Sequence, residues 1–160
     1  FTGAVFCRRE KGFLDWVKRS PAQSLWQIEN VSNAYVSGLE SKFIYKPGRL
    51  FNLESAYTWV NRRDDESGVI YKYGSPYTKH LWINELSLLT KAGTPYLGCT
   101  IKKKSGRDPW TPVYASYRYT VTQALEASMR IDNLFNEEYQ EIEGIVQPGR
   151  FAQVGITARW

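Results

Sequence analysis

Arg150-Phe-Ala-Gln-Val-Gly-Ile-Thr-Ala-Arg-Trp160 closes the chain on an alternation of polar and apolar residues and stops on an aromatic ring. Ala152, Val154, Ile156, Ala158 and Trp160 fall on one side of an extended backbone; Gln153, Gly155, Thr157 and Arg159 fall on the other. Period two is the signature of a strand with one apolar and one wet face. A soluble domain usually frays into polar residues at its end. A strand whose last residue is Trp fits a membrane wall instead, because the amphipathic indole anchors at headgroup level.

Working outward, the same pattern returns. Phe51, Leu53, Tyr57 and Trp59 alternate with Asn52, Glu54, Ala56 and Thr58; Leu125, Ala127, Met129 and Ile131 alternate with Glu126, Ser128, Arg130 and Asp132. Leu97, Cys99 and Ile101 alternate with Gly98, Thr100 and Lys102, and Val113, Ala115, Tyr117 and Tyr119 with Tyr114, Ser116, Arg118 and Thr120. These segments predict eight strands over 2–10, 28–45, 50–61, 80–90, 95–104, 111–120, 124–132 and 150–160. The second is longer than a bilayer requires and should project beyond it. Residues 80–90 are the least regular, since Asn84 and Glu85 put a polar group on each face. Phe13 to Val17 and Leu134 to Tyr139 read as short helical or turn pieces.

The connections alternate between tight and long. Lys46-Pro-Gly-Arg49, Lys91-Ala-Gly-Thr94 and Val121-Thr-Gln123 are tight; 11–27, 62–79, 105–110 and 133–149 are long. All short turns therefore gather at one end and all long loops at the other, as in outer-membrane barrels. Tyr45, Phe51, Tyr119 and Trp160 mark the short-turn end, and Trp59, Trp82 and Trp110 the long-loop end, like two interfacial girdles.

The bulk numbers agree. The chain has 160 residues, read as a single domain over 1–160, with 6 Trp, 11 Tyr and 7 Phe. Its mean hydropathy of −0.46 is that of a soluble protein, yet a membrane barrel averages to the same figure because lumen-facing residues are polar. No run approaches the ~18 apolar residues of a spanning helix. The net charge of +5 is spread among carboxylates, and nucleic acid is not an expected partner. Cys7 and Cys99 fall four strands apart, roughly 19 Å at ~4.8 Å per strand, too far for a bridge.

Two stretches carry a family resemblance. Ile131-Asp-Asn-Leu-Phe-Asn-Glu-Glu-Tyr139, followed by Gln147-Pro-Gly-Arg150 and the terminal strand, resembles the NLFD-x-x-Y…PGR ending of TonB-dependent outer-membrane receptors. Phe6-Cys-Arg-Arg9, Leu14-Asp-Trp-Val17, Trp26-Gln-Ile-Glu-Asn-Val31 and Gly38-Leu-Glu40 are similar to receptors of the cobalamin and siderophore type, with Cys7 where those have Tyr and Leu39 where Val is more usual. The terminal Gln153-x-Gly155-x-x-Ala158-x-Trp160 resembles the signal by which the barrel-assembly machinery reads its clients.

The resemblance implies an all-β fold: an antiparallel meander of about eight strands forming part of a transmembrane β-barrel, or a small one. The family's barrels have about 22 strands around a plug. This chain would supply the C-terminal third, with the plug domain, the remaining strands and any contact with TonB lying outside it. The implied function is energised uptake of a scarce ligand such as cobalamin or a ferric siderophore. Two other readings stay open at this point. A self-contained eight-stranded barrel could serve as an anchor or adhesin, and a soluble β-sandwich could serve as a binding module.

Site expectations follow. Glu40, Lys42, Asn52, Glu54, Thr58, Arg118, Glu126, Ser128 and Arg130 should line the lumen, with Arg118 and Glu126 near enough to pair. In the outer loops, Trp16, Trp26, Asp64, Asp65, Tyr71, Tyr73 and Tyr77 are the candidate capture residues, since stacking and hydrogen bonding suit a large amphipathic ligand. Lys102, Lys103, Lys104 and Arg107 are candidates for lipopolysaccharide phosphates in the outer leaflet. His80 is the single histidine and no nucleophile motif accompanies it, so an enzyme is not expected. No cofactor is expected, and no metal, since Arg62 and Arg63 stand beside the acidic run at 64–66.

Overall fold

The computed structural model describes residues 1–31, 34–64, 68–72, 77–142 and 144–159. Among them there is no helix. The strands are β1 (Thr2–Glu10), β2 (Phe13–Lys18), β3 (Gln27–Val31), β4 (Ala34–Tyr45), β5 (Phe51–Asp64), β6 (Ile70–Tyr71), β7 (Thr78–Leu88), β8 (Thr94–Lys104), β9 (Val113–Thr120), β10 (Leu125–Asp132), β11 (Gln140–Ile142), β12 (Ile145–Val146) and β13 (Phe151–Ala158).

Eight of these form one antiparallel sheet in the order β1-β4-β5-β7-β8-β9-β10-β13. Each wall strand pairs with the next wall strand along the chain, so the sheet is a meander. It is open: β1 and β13 are its two edges. The register makes one face continuous. Val5 pairs with Leu39, Leu39 with Trp59, Leu97 with Ala115, Ala115 with Ile131, and Met129 with Val154. Side chains paired across an antiparallel ladder share a face. This one gathers most of the apolar residues of the wall strands and the other most of their polar alternates, although Ile44, Leu81 and Ile83 fall on the polar side.

What covers the apolar face decides the solvent. A soluble sandwich would seal it against a second sheet. Here Val5 is 80% exposed, Val154 84% and Ile156 78%. Among the described residues, the buried apolar side chains are Val17, Ala34, Val36 and Trp110 alone. A water-soluble domain of this size would bury far more. Each bare aliphatic side chain gains about 1.5–3 kcal/mol on leaving water, so hydrocarbon is the medium this face fits. That removes the soluble sandwich.

Three expectations are corrected. The span 28–45 is not one strand: β3 and β4 are separate elements in different sheets. Phe13 to Val17 is extended rather than helical, because it pairs with β3 on one side and β6 on the other. Trp110 does not belong to an outer girdle. It bridges to Lys102, on the polar face, and is buried. Trp59 and Trp82 remain on the apolar face, and Tyr45 and Phe51 mark its lower rim with their ring centroids 6.4 Å apart.

Asn84 interrupts the apolar face, yet it is satisfied there. Ser55 Oγ donates to Asn84 Oδ1 at 2.8 Å and accepts from Trp82 Nε1 at 2.7 Å, while Asn84 Nδ2 lies 3.8 Å from Cys99 Sγ. A polar chain that consumes its own donors and acceptors lowers the cost of facing lipid. Cys7 and Cys99 are both free, on strands four places apart in the sheet.

Candidate functional site: inner wall and outer loops

The polar face carries a row of linked charges. The Tyr114 hydroxyl donates to Glu85, across Gly98, which stands between them in register. A Cβ on Gly98 would come within 2.4 Å of the Tyr114 ring, so only glycine lets that ring lie flat across the ladder. Arg130 stacks on the Tyr114 ring, 3.8 Å from its centroid, and pairs with Asp132 at 2.7 Å. Gln153 Nε2 extends the chain to Asp132 at 3.2 Å. Lower down, Lys42 pairs with Glu54 at 3.3 Å and Arg118 with Glu126 at 3.3 Å, the pairing expected from their positions.

Above the wall, the long loops fold into two unlike units. In the first, β2 is the centre of a three-stranded sheet, β3-β2-β6. Its alternation is simple: Asp15 and Val17 are buried, and Leu14 and Trp16 are exposed. Trp16 pairs with Ile28, which is 62% exposed, and Lys18 pairs with Ile70. Two cations dress this surface. Lys72 Nζ lies 5.6 Å from the Trp16 ring and Lys18 Nζ 4.8 Å from the Trp26 ring. Arg19 and Glu29 close the hairpin end with a contact of 2.6 Å.

The second unit joins the connections on either side of β9 and β10. Asn133, buried and at φ 49°, accepts from the Glu137 amide through Oδ1 at 2.8 Å. Its Nδ2 donates to the carbonyls of Glu137 at 2.8 Å and Pro148 at 3.2 Å. Asn136, at φ 56°, accepts the Arg150 amide at 2.8 Å. Asn tolerates the left-handed region as other branched residues do not. A Cβ on Gly149 would sit 2.6 Å from Asn136 Oδ1. The Asn-Leu-Phe-Asn and Pro-Gly-Arg stretches are thus two halves of one clamp. Outside it, Trp110 stacks on Tyr139 at 6.1 Å, and Lys102 pairs with Glu141 at 2.7 Å. Burial pushes the Tyr139 phenol above its ordinary pKa, helped by nearby carboxylates.

The expected capture residues divide accordingly. Trp16 belongs to the loop sheet, Trp26 stands immediately before its strand β3, and Tyr71 pairs with Val17 on its covered side. Tyr77 stands apart: its hydroxyl accepts the Arg62 amide at 3.2 Å and its carbonyl accepts the Ser105 amide at 2.9 Å. Asp65 and Tyr73 lie outside the described residues, as does the side chain of Asp64. Of the basic stretch, Lys102 and Lys104 turn to Glu141 in the second unit, while Lys103 pairs with His80 on the apolar face. Gln153 and Gly155 of the terminal segment share the polar face and Ala158 the apolar one; Trp160 lies outside the described residues. Sequence reading missed Leu14, Ile28, Lys18 and Lys72, although Leu14-Asp-Trp-Val17 carries the same period-two signal as the wall.

No protein-family model matches the chain. It is 29% identical over 134 residues to a vitamin B12 transporter of Vibrio vulnificus (strain YJ016), covering 79% of this chain and 21% of that protein. The fold superposes on a crystal structure of a mutant ferric enterobactin receptor of Pseudomonas aeruginosa with a TM-score of 0.69 at 18% identity, covering 98% of this chain and 28% of that one. The chain resembles the barrel of the TonB-dependent outer-membrane receptors. Its open sheet has the fold of part of such a barrel wall. The chain spans about a fifth of the length of the B12 transporter it matches.

Proposed function

We propose that this chain forms the C-terminal wall, part of the lumen lining and part of the outer loops of a TonB-energised receptor. Its cargo is a scarce, bulky ligand such as cobalamin or a ferric siderophore. The observation that carries the reading is the loop sheet, which holds Trp16, Ile28 and Leu14 exposed with Lys18 and Lys72 beside them. Apolar area rimmed by cations suits an amphipathic ligand that arrives dilute and must be held by stacking. The open edges at β1 and β13 support a larger wall over a self-contained eight-stranded anchor, because unpaired backbone in lipid costs several kcal/mol per group. Further strands, a plug moved by TonB, and the barrel-assembly machinery acting on Gln153, Gly155, Ala158 and Trp160 are the partners this reading requires.

The test is equilibrium binding of cyanocobalamin and of a ferric siderophore panel to the full-length protein in outer-membrane vesicles. One ligand should bind, and Trp16→Ala with Ile28→Ala should weaken it about tenfold or more while leaving barrel insertion intact. Unchanged affinity in that double variant, for a ligand the parent binds, would contradict the assignment of the loop sheet.

A further inference from the structure

Asn84 stands at the middle of the apolar face. Along β7 that face runs Leu88, Leu86, Asn84, Trp82 and His80, and the ladder sets Asn84 between Ser55 and Cys99. β7 is three strands from the β1 edge and four from the β13 edge, so this patch is interior to the sheet. A side-chain amide offers two N–H donors and two acceptor lone pairs. Here Oδ1 accepts from Ser55, and Nδ2 reaches only Cys99 Sγ, a weak acceptor, at 3.8 Å. Among the described residues no other hydrogen bond reaches the amide, which leaves it one N–H and one lone pair. Hydrocarbon offers neither of them a partner.

A ridge and a groove flank the amide. On β4 and β5, Tyr45 is half exposed, with Phe43 stacked on it at 6.1 Å and Phe51 edge-on at 6.4 Å. From β7 to β10 the face is hollowed by a groove of about 290 Å³, lined by Leu86, Leu97, Ala115, Tyr117, Met129 and Ile131. By register, Tyr45, Phe51 and the groove all lie on the short-turn side of the Asn84 row.

We infer that this face is an interface between two copies of the chain in the membrane, with Asn84 on the two-fold axis. Two copies inserted in the same sense are related by a two-fold along the membrane normal. Such an axis at Asn84 brings each amide to its counterpart. The spare N–H of one then meets the spare lone pair of the other, twice over. The same axis turns the aromatic ridge of each copy toward the groove of its partner. A surface with donor, acceptor, ridge and groove in this arrangement is complementary to itself, which selects a second copy over lipid or an unlike protein. The inference rests on the wall facing hydrocarbon and not on the uptake reading.

The experiment uses the full-length protein, labelled and reconstituted in vesicles over a range of protein-to-lipid ratios, with insertion checked by protease protection. Association is read by energy transfer between copies. A short bismaleimide traps neighbouring thiols, which are mapped by mass spectrometry. The parent should associate as its density rises. Cys99, beside Asn84 in register, should crosslink to Cys99 of a second copy, whereas Cys7, three strands from β7, should not crosslink to its counterpart. Asn84→Leu should weaken association about tenfold, and Asn84→Gln, which keeps the amide, should retain most of it. Ala115→Phe, which fills the groove, should weaken it as well. A parent that stays monomeric at every density would overturn the interface, as would association unchanged by either Asn84→Leu or Ala115→Phe. Trapping of Cys7 in place of Cys99 would move the contact to another part of the wall and overturn it equally. Failure of the parent to insert would overturn the lipid-facing wall itself, a result distinct from a monomer that inserts.

Discussion

The two loop units stand on the same wall and are built on opposite principles. The unit around Asn133 is a clamp: a buried amide, two left-handed asparagines and a glycine tie distant backbone groups together, and its aromatics stack on each other. The sheet of β2, β3 and β6 is held by ladder hydrogen bonds, and it turns Leu14, Trp16 and Ile28 outward. The clamp carries the clearer motif, yet it offers little for a ligand to hold. The presenting surface has only period-two alternation to mark it. In this molecule the strongest sequence signature reports structure, and the weaker one reports what can be touched.

That contrast can be broken at the clamp. Asn133→Ala strands the Glu137 amide and two carbonyls in a buried place, and it forces alanine into φ 49°. At about 1–3 kcal/mol per unsatisfied group, the loss should be about 3 kcal/mol or more. Thermal unfolding of the inserted full-length protein would report it, with ligand affinity of the folded fraction unchanged. If affinity fell while stability held, the roles of the two units would be reversed. A second, smaller effect is expected in the wall. Gly98→Ala pushes a methyl into the Tyr114 ring and should cost about 1–3 kcal/mol by overpacking. Combining it with Tyr114→Ala should recover most of that loss, since the clash is the cause; no recovery would place the strain elsewhere. The smallest effect belongs to the half-exposed pair Arg118 and Glu126. Glu126→Gln should change stability by about 0–1 kcal/mol, and a larger loss would mean that the inner charges act as one network.

The wall was legible in the sequence because a strand's two faces are a local property. Leu125 to Asp132 shows its facing without reference to any other residue. The loops were not, because their facing depends on partners far along the chain. Trp110 turns inward to stack on Tyr139, and Lys102 to meet Glu141; neither preference is written near position 102 or 110. β2 was misread for a related reason. Five residues with Leu14 and Trp16 opposite Asp15 and Val17 fit a strand, but only pairing with Gln27–Val31 and with Ile70 and Tyr71 makes that conformation the stable one. The inner wall lay between these cases. Arg118 with Glu126 was readable across one turn, whereas the link from Glu85 through Tyr114 to Arg130 spans four strands and depends on the missing side chain at Gly98.

The central claim is that successive side chains of the wall alternate between hydrocarbon and water. It is tested most directly by nitroxide labels placed one at a time along β8, β10 and β13 of the full-length protein, with Cys7 and Cys99 replaced by Ser and the protein reconstituted in bilayers. Labels at Leu97, Met129, Val154 and Ile156 should collide preferentially with oxygen, which concentrates in lipid, and labels at Glu126, Ser128, Arg130 and Gln153 with a water-soluble nickel chelate. Accessibility without a two-residue period, or with the two sets exchanged, would contradict it.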